Sequence, residues 1–139
     1  MHAIASASEY ARGDISTEAE YYRAHFSNAL FRRDQIATVV RRLRANFTPE
    51  EIVNARAIED RLYSETTLSP GYDPTPRLRK LVIPTLVVHG DNDFIPLQCA
   101  TNVAEAVPGA RLVMLRDCGH FAFLERPAEV CAAIAGLVA

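Results

Sequence analysis

Two short apolar runs, each followed by a helical pattern, constrain this chain more than anything else in it. Leu86-Val87-Val88 follows Pro84 and ends at His89-Gly90, and Arg111 to Leu115 makes the second run. An unbroken apolar run of this length suits a strand buried on both faces. Between the two, Leu97 to Val107 puts Ala100, Val103, Ala104 and Val107 on one side of a short helix, which Pro108-Gly109 breaks. After them, Pro127 opens a last helix carrying Val130, Ile134 and Leu137. Strand–helix–strand–helix at this spacing is a βαβα unit, so the strands are expected to be parallel with a right-handed crossover.

The first half has a different pattern. Thr17 with Glu20 reads as a capping box for a helix carrying Tyr22, Phe26 and Leu30. Asp34 to Ala45 places Ile36, Val39, Val40 and Leu43 on one face. Thr48-Pro49-Glu50-Glu51 is a helix start with a capping threonine, proline at the first helical position and acids at the positive end of the dipole. That helix carries Ile52, Ile58 and Leu62. Residues 69–76 hold three prolines and read as a loop. The fold class is therefore α/β, with a helical region over residues 1–75 and the βαβα unit over 76–139.

Several function classes are disfavoured at once. A chain of 139 residues with a net charge of −2 has no bulk electrostatic bias toward nucleic acid or a membrane surface. No apolar run reaches the roughly 20 residues of a membrane helix, and residues 1–6 carry neither a basic n-region nor a long apolar h-region, so no signal peptide is expected. Three cysteines (Cys99, Cys118 and Cys131) without a Cys-x-x-Cys pair argue against a disulfide framework or zinc site, and a cytoplasmic location is expected. Arg32, Arg33, Arg41, Arg42 and Arg44 make residues 21–47 locally basic, which reads as a solvated face rather than a DNA-binding helix.

In a parallel sheet, ligands bind beyond the carboxyl ends of the strands. The loop after the first strand is Gly90-Asp91-Asn92-Asp93, and the loop after the second is Asp117-Cys118-Gly119-His120. Adjacent strands would bring a carboxylate and an imidazole side by side, the arrangement in which an Asp orients a His and stabilises its protonated form. Asp and His in two loops are also ordinary surface residues. Phe94 and Phe121 flank these loops and are candidate substrate-contacting residues or plain core, as is Phe123. Cys118 reads as an apolar filler rather than a reactive thiol, Cys99 and Cys131 as core, and His25 and His89 as structural, with His89 near the site. Asp91 reads as a solvated turn residue.

The segment Val82-Ile83-Pro84-Thr85-Leu86-Val87-Val88-His89-Gly90-Asp91-Asn92-Asp93, followed by Ile95-Pro96, is one half of a recognisable pattern. The other half is Pro108-Gly109-Ala110, Arg111 to Leu115, Cys118-Gly119-His120-Phe121 and Glu125-Arg126-Pro127. Together they resemble the C-terminal part of the α/β-hydrolase superfamily, over roughly residues 76–139. The resemblance implies that Asp93 is the acid of a catalytic triad and His120 its general base, with no cofactor and no metal. It implies that residues 1–75 are a helical cap. Residues 21–26 and 71–78 resemble the proline iminopeptidase-like branch, in which cap carboxylates hold a substrate's amino terminus. Glu20 and Glu65 are the conceivable counterparts, though helix capping and solvation explain both.

The serine that such enzymes use sits in Gly-x-Ser-x-Gly. The glycines here are 13, 71, 90, 109, 119 and 136, and no two are four apart. A P-loop and a dinucleotide fingerprint are excluded by the same spacing. The expected function is the C-terminal portion of a serine α/β-hydrolase acting on an ester, amide or amino-terminal peptide bond. Its substrate would be a small molecule or short peptide, and its nucleophile would come from a missing N-terminal half. The alternative is a non-catalytic binding or assembly module, and self-association through an exposed strand edge is a further expectation.

Overall fold

The computed structural model describes residues 2–45 and 47–138, with the backbone alone at Leu43, Arg44 and Val138. The side chains of Leu43 and Arg44, read above as an apolar and a basic position of one helix, thus lie outside the described residues. The chain divides into two compact units. One comprises Met1–Ser27 with Gln35–Tyr72, and the other Asn28–Asp34 with Asp73–Ala139. The boundary is not a single cut near residue 75, because residues 28–34 belong to the second unit.

The first unit is helical. Short helices α1 (His2–Ala5) and α2 (Ser8–Ala11) lead into α3 (Ile15–His25). Helix α3 starts two residues earlier than Thr17. Its cap is Asp14, whose Oδ1 accepts from the Thr17 backbone N–H at 2.8 Å and from the Thr17 hydroxyl at 2.7 Å. Thr17 is therefore the capped residue and not the cap. The helix ends at His25, so Leu30 lies beyond it, buried in the second unit.

A single 3₁₀ turn over Arg33–Gln35 precedes α4 (Ile36–Arg44), which buries Val39 and Val40 and leaves Arg41 and Arg42 exposed. Helix α5 (Pro49–Glu65) begins as its sequence dictates, with a capping box between Thr48 and Glu51. The Thr48 hydroxyl accepts from the Glu51 N–H at 3.3 Å, and the Glu51 carboxylate accepts from the Thr48 N–H at 2.7 Å. Of its apolar positions only Ile52 is buried, and Ile58 and Leu62 face solvent.

The second unit holds the sheet. A four-residue helix, α6 (Thr75–Leu78), interrupts the proline-rich loop. Pro76 sits in its first turn, where a missing N–H costs nothing. Strands β1 (Leu86–Gly90) and β2 (Arg111–Leu115) pair in parallel, with Leu86 opposite Arg111 and Gly90 opposite Leu115. Helix α7 (Leu97–Ala106) crosses between them and packs on both, and after α8 (Ala122–Glu125), α9 (Pro127–Val138) packs on β1.

Burial on both strand faces is not what the structure shows. Only His89, Gly90 and Leu115 are buried within the strands, and Met114 is exposed. Just before β1, Val82 is 95% exposed. Two strands each have one free edge and too few helices to cover both faces. The same shortfall explains the exposed Val103 on α7 and Ile134 on α9. Cys99 and Cys131, expected in the core, are exposed free thiols, whereas Cys118 is fully buried.

Candidate active site

The carboxyl end of β1 leads into a tight turn. The Asp91 N–H donates to the Leu115 carbonyl at 2.9 Å, and the Asn92 N–H donates to the Cys118 carbonyl at 2.9 Å. The Asp93 N–H closes the turn on the Gly90 carbonyl at 3.2 Å. Parallel pairing in this register therefore continues past the strands as a lacing between the two loops.

Gly90 is required there. A Cβ at this position would overlap the carbonyl oxygens of both Cys118 and Gly119, which are backbone atoms and cannot swing away. Gly90→Ala is expected to push the histidine loop off the strand, at a cost of roughly 1–3 kcal/mol from overpacking. A thermal melt together with the His120 NMR resonances checks this, and an unshifted melting point would refute it.

Asp91 is not a bystander. Its Oδ1 accepts from the Cys118 N–H at 3.2 Å and from the Asn92 amide at 2.6 Å. The Cys118 N–H is the main reason its carboxyl titrates below the usual carboxylate range. Glu125 anchors the same loop from the far side. One carboxylate oxygen accepts from the Gly119 N–H at 2.7 Å and the other from the Arg32 N–H at 3.0 Å. The His120 N–H in turn donates to the Ala29 carbonyl at 2.7 Å. Residues 29–32 thus help hold the loop that carries His120, a role with no signal in sequence spacing. Asp117 takes a left-handed conformation (φ 49°) where β2 gives way to the loop, which Asp tolerates better than most residues.

These supports bring Asp93 and His120 together. His120 Nδ1 lies 3.1 Å from Asp93 Oδ1 and 3.0 Å from Oδ2. The Asp93 side chain is only 7% exposed, and its Oδ1 also accepts from the Ile95 N–H at 2.9 Å. The imidazole is 40% exposed, and its Nε2 makes no hydrogen bond among the described residues. His89 is buried beside the acid, with Nδ1 3.9 Å from Asp93 Oδ2.

The two phenylalanines have different surroundings. Phe94 is half exposed, with its ring centroid 4.8 Å from that of His120. Phe121 is buried and meets the His120 ring edge-on at 5.5 Å. Phe94 is thus open to a ligand, while Phe121 backs the imidazole. Phe123 lies further out, 6.2 Å from Phe121. Burial pushes the Cys118 thiol up to about 11, so it stays protonated and is no nucleophile at neutral pH.

Among the described residues, no three His, Cys, Asp or Glu side chains group as a metal site, and no helix is long and apolar enough to cross a membrane.

A family model described as the alpha/beta hydrolase family matches residues 3–133. The chain belongs to the alpha/beta hydrolase family. It is 33% identical over 107 residues to a 2-hydroxy-6-oxononadienedioate/2-hydroxy-6-oxononatrienedioate hydrolase of Klebsiella pneumoniae subsp. pneumoniae. That match covers 76% of this chain and 30% of the relative. The hydrolase of the same name from Escherichia coli (strain K12 / DH10B) is 30% identical over 102 residues, covering 73% of this chain and 28% of the relative.

A solved 2-hydroxy-6-oxo-6-phenylhexa-2,4-dienoate hydrolase from Rhodococcus sp. strain RHA1 superposes with a TM-score of 0.59 at 21% identity, over 97% of this chain and 47% of that one. A solved N-acyl homoserine lactone degrading enzyme superposes with a TM-score of 0.58 at 24% identity, over 92% of this chain and 49% of that one. These likenesses show the fold alone. This family member spans less than a third of the length of the curated relatives it matches. Those relatives are named as 2-hydroxy-6-oxononadienedioate/2-hydroxy-6-oxononatrienedioate hydrolases, not as the proline iminopeptidase-like enzymes expected from residues 21–26 and 71–78.

Proposed function

We propose that this chain carries the acid and the general base of an α/β-hydrolase active site, Asp93 and His120. The observation that carries the reading is the pairing of a buried carboxylate with an accessible imidazole at 3.0 and 3.1 Å. A carboxylate on Nδ1 holds the proton there in the neutral ring. Nε2 then keeps its lone pair on the accessible side, ready to take a proton from a nucleophile and return it to a leaving group. As the ring becomes imidazolium, Asp93 stabilises the charge without accepting the proton. Phe94 supplies an apolar surface beside the imidazole for a substrate.

The nucleophile would be a serine outside these residues, since no Gly-x-Ser-x-Gly occurs in the sequence. The free edges of the two-stranded sheet are where further strands would join, whether from that missing portion or from a second copy. The helical first unit would then serve as the cap. The substrate class to test first is a small conjugated keto acid of the 2-hydroxy-6-oxo type, for which the 33% identical relative is named. Esters, amides and amino-terminal peptide bonds come after it.

Two measurements test this. In the chain itself, ¹⁵N NMR is expected to show a neutral His120 protonated on Nδ1, and a ring protonated on Nε2 would remove its role as base. In a polypeptide that joins the chain to a serine elbow, loss of dienoate absorbance is expected to outpace cleavage of an activated aryl ester. Turnover of neither would favour a non-catalytic module.

A further inference from the structure

The helical unit contains a cleft of about 560 Å³, every lining residue of which belongs to that unit. Its walls are aromatic: Tyr10, Tyr21, Tyr22, Phe26, Phe47 and Tyr63. The rings sit close together, with centroids 4.9 Å apart for Tyr10–Tyr21 and 5.6 Å apart for Tyr22–Phe26. Burial pushes the Tyr10 hydroxyl up to about 12 and raises that of Tyr22, so both rings stay neutral near pH 7.

The charge in the cleft is uneven. Glu18 is buried and pairs with Arg56, whose guanidinium also donates to the Tyr10 carbonyl at 2.6 Å and lies 3.6 Å over the Tyr10 ring. This wall therefore already seats one cation on an aromatic face. Glu18 and Arg56 neutralise each other. Two further lining carboxylates, Glu59 and Asp60, lie one helical turn beyond Arg56 and have no basic partner among the described residues. Aromatic faces attract cations through the ring quadrupole, and two unpaired carboxylates add to that attraction.

We propose that this cleft binds a small organic cation, a quaternary or protonated ammonium. Asp93 and His120 play no part in it. Choline is a suitable probe, and 3,3-dimethylbutan-1-ol is its neutral isostere with the same shape and the same hydroxyl.

The readout is built into the chain, which has no tryptophan and five tyrosines, four of them lining the cleft. Choline is expected to change tyrosine emission saturably in the millimolar range. The alcohol should bind about tenfold more weakly, which is the worth of one good cation–π contact. Glu59→Gln with Asp60→Asn is expected to weaken choline several-fold without changing the alcohol. Both side chains are exposed, so this variant keeps its fold, and far-UV circular dichroism checks that it does. Equal binding of choline and the alcohol, no saturable response to choline, or an unchanged choline affinity in the variant would each overturn the proposal.

Discussion

If Asp93 acts as proposed, Asp93→Asn is expected to lower kcat by about 10⁴-fold in a polypeptide that joins this chain to a serine elbow, the loss typical of a triad acid replaced by its amide. The substitution keeps the shape and the Ile95 contact, because Asn retains one acceptor oxygen for the Ile95 N–H. Its NH₂ then faces His120 Nδ1 as a donor, which forces the ring proton onto Nε2. The lone pair that would accept the serine proton is gone, although nothing has moved. KM should change little, since Asp93 is buried beneath the imidazole and a substrate does not reach it. In the chain alone, the same variant should switch the His120 tautomer in ¹⁵N spectra. A loss below tenfold with the tautomer switched would show that His120 is not the base.

Arg56→Met is expected to destabilise the helical unit by about 3–5 kcal/mol, the usual cost of leaving one member of a buried ion pair alone. Glu18 is only 2% exposed at its side chain and has Arg56 as its ion-pair partner, so the substitution strands a charge away from water. Arg56 also links Tyr10 on α2 to α3 from its place on α5. Met fills much of the same volume, so the loss comes from charge rather than from a cavity. Urea unfolding followed by tyrosine emission reads this unit, because four of the five tyrosines line its cleft. Adding Glu18→Leu should recover much of the loss, since an apolar pair often replaces a buried ion pair without penalty. If the single variant melts like the native chain, Glu18 takes up water or a proton more easily than its burial implies.

The elements that were legible beforehand share one property: short-range chemistry decides them. Thr48-Pro49-Glu50-Glu51 carries its own cap, so the start of α5 depends on nothing distant. The bounds of β1 and β2 follow from apolar runs closed by Gly90 and by the polar 116–117 step. Where two local signals compete, the tertiary structure departs from the sequence expectation. Asp14 and Thr17 both cap well, and Asp14 took the position because its carboxylate reaches both the N–H and the hydroxyl of Thr17. Cys99 and Cys131 sit on helices whose outer faces have nothing over them, and helical periodicity alone does not say how many neighbours a helix will find.

The candidate site divides in the same way. Sequence order alone determined that Asp93 and His120 would emerge at one edge of a parallel sheet, because a right-handed βαβ crossover leaves both strand ends on the same side. The tertiary structure decided what brings them to 3.0 Å: a glycine at 90 that lets two carbonyls approach, Asp91 holding the Cys118 N–H, and Glu125 holding the Gly119 and Arg32 N–H groups. It also decided that Ala29, 91 residues earlier in the chain than His120, would hold the His120 backbone. Such contacts obey no spacing rule. They arise because a buried N–H must find an acceptor, and which acceptor is nearest is settled only when the chain has folded.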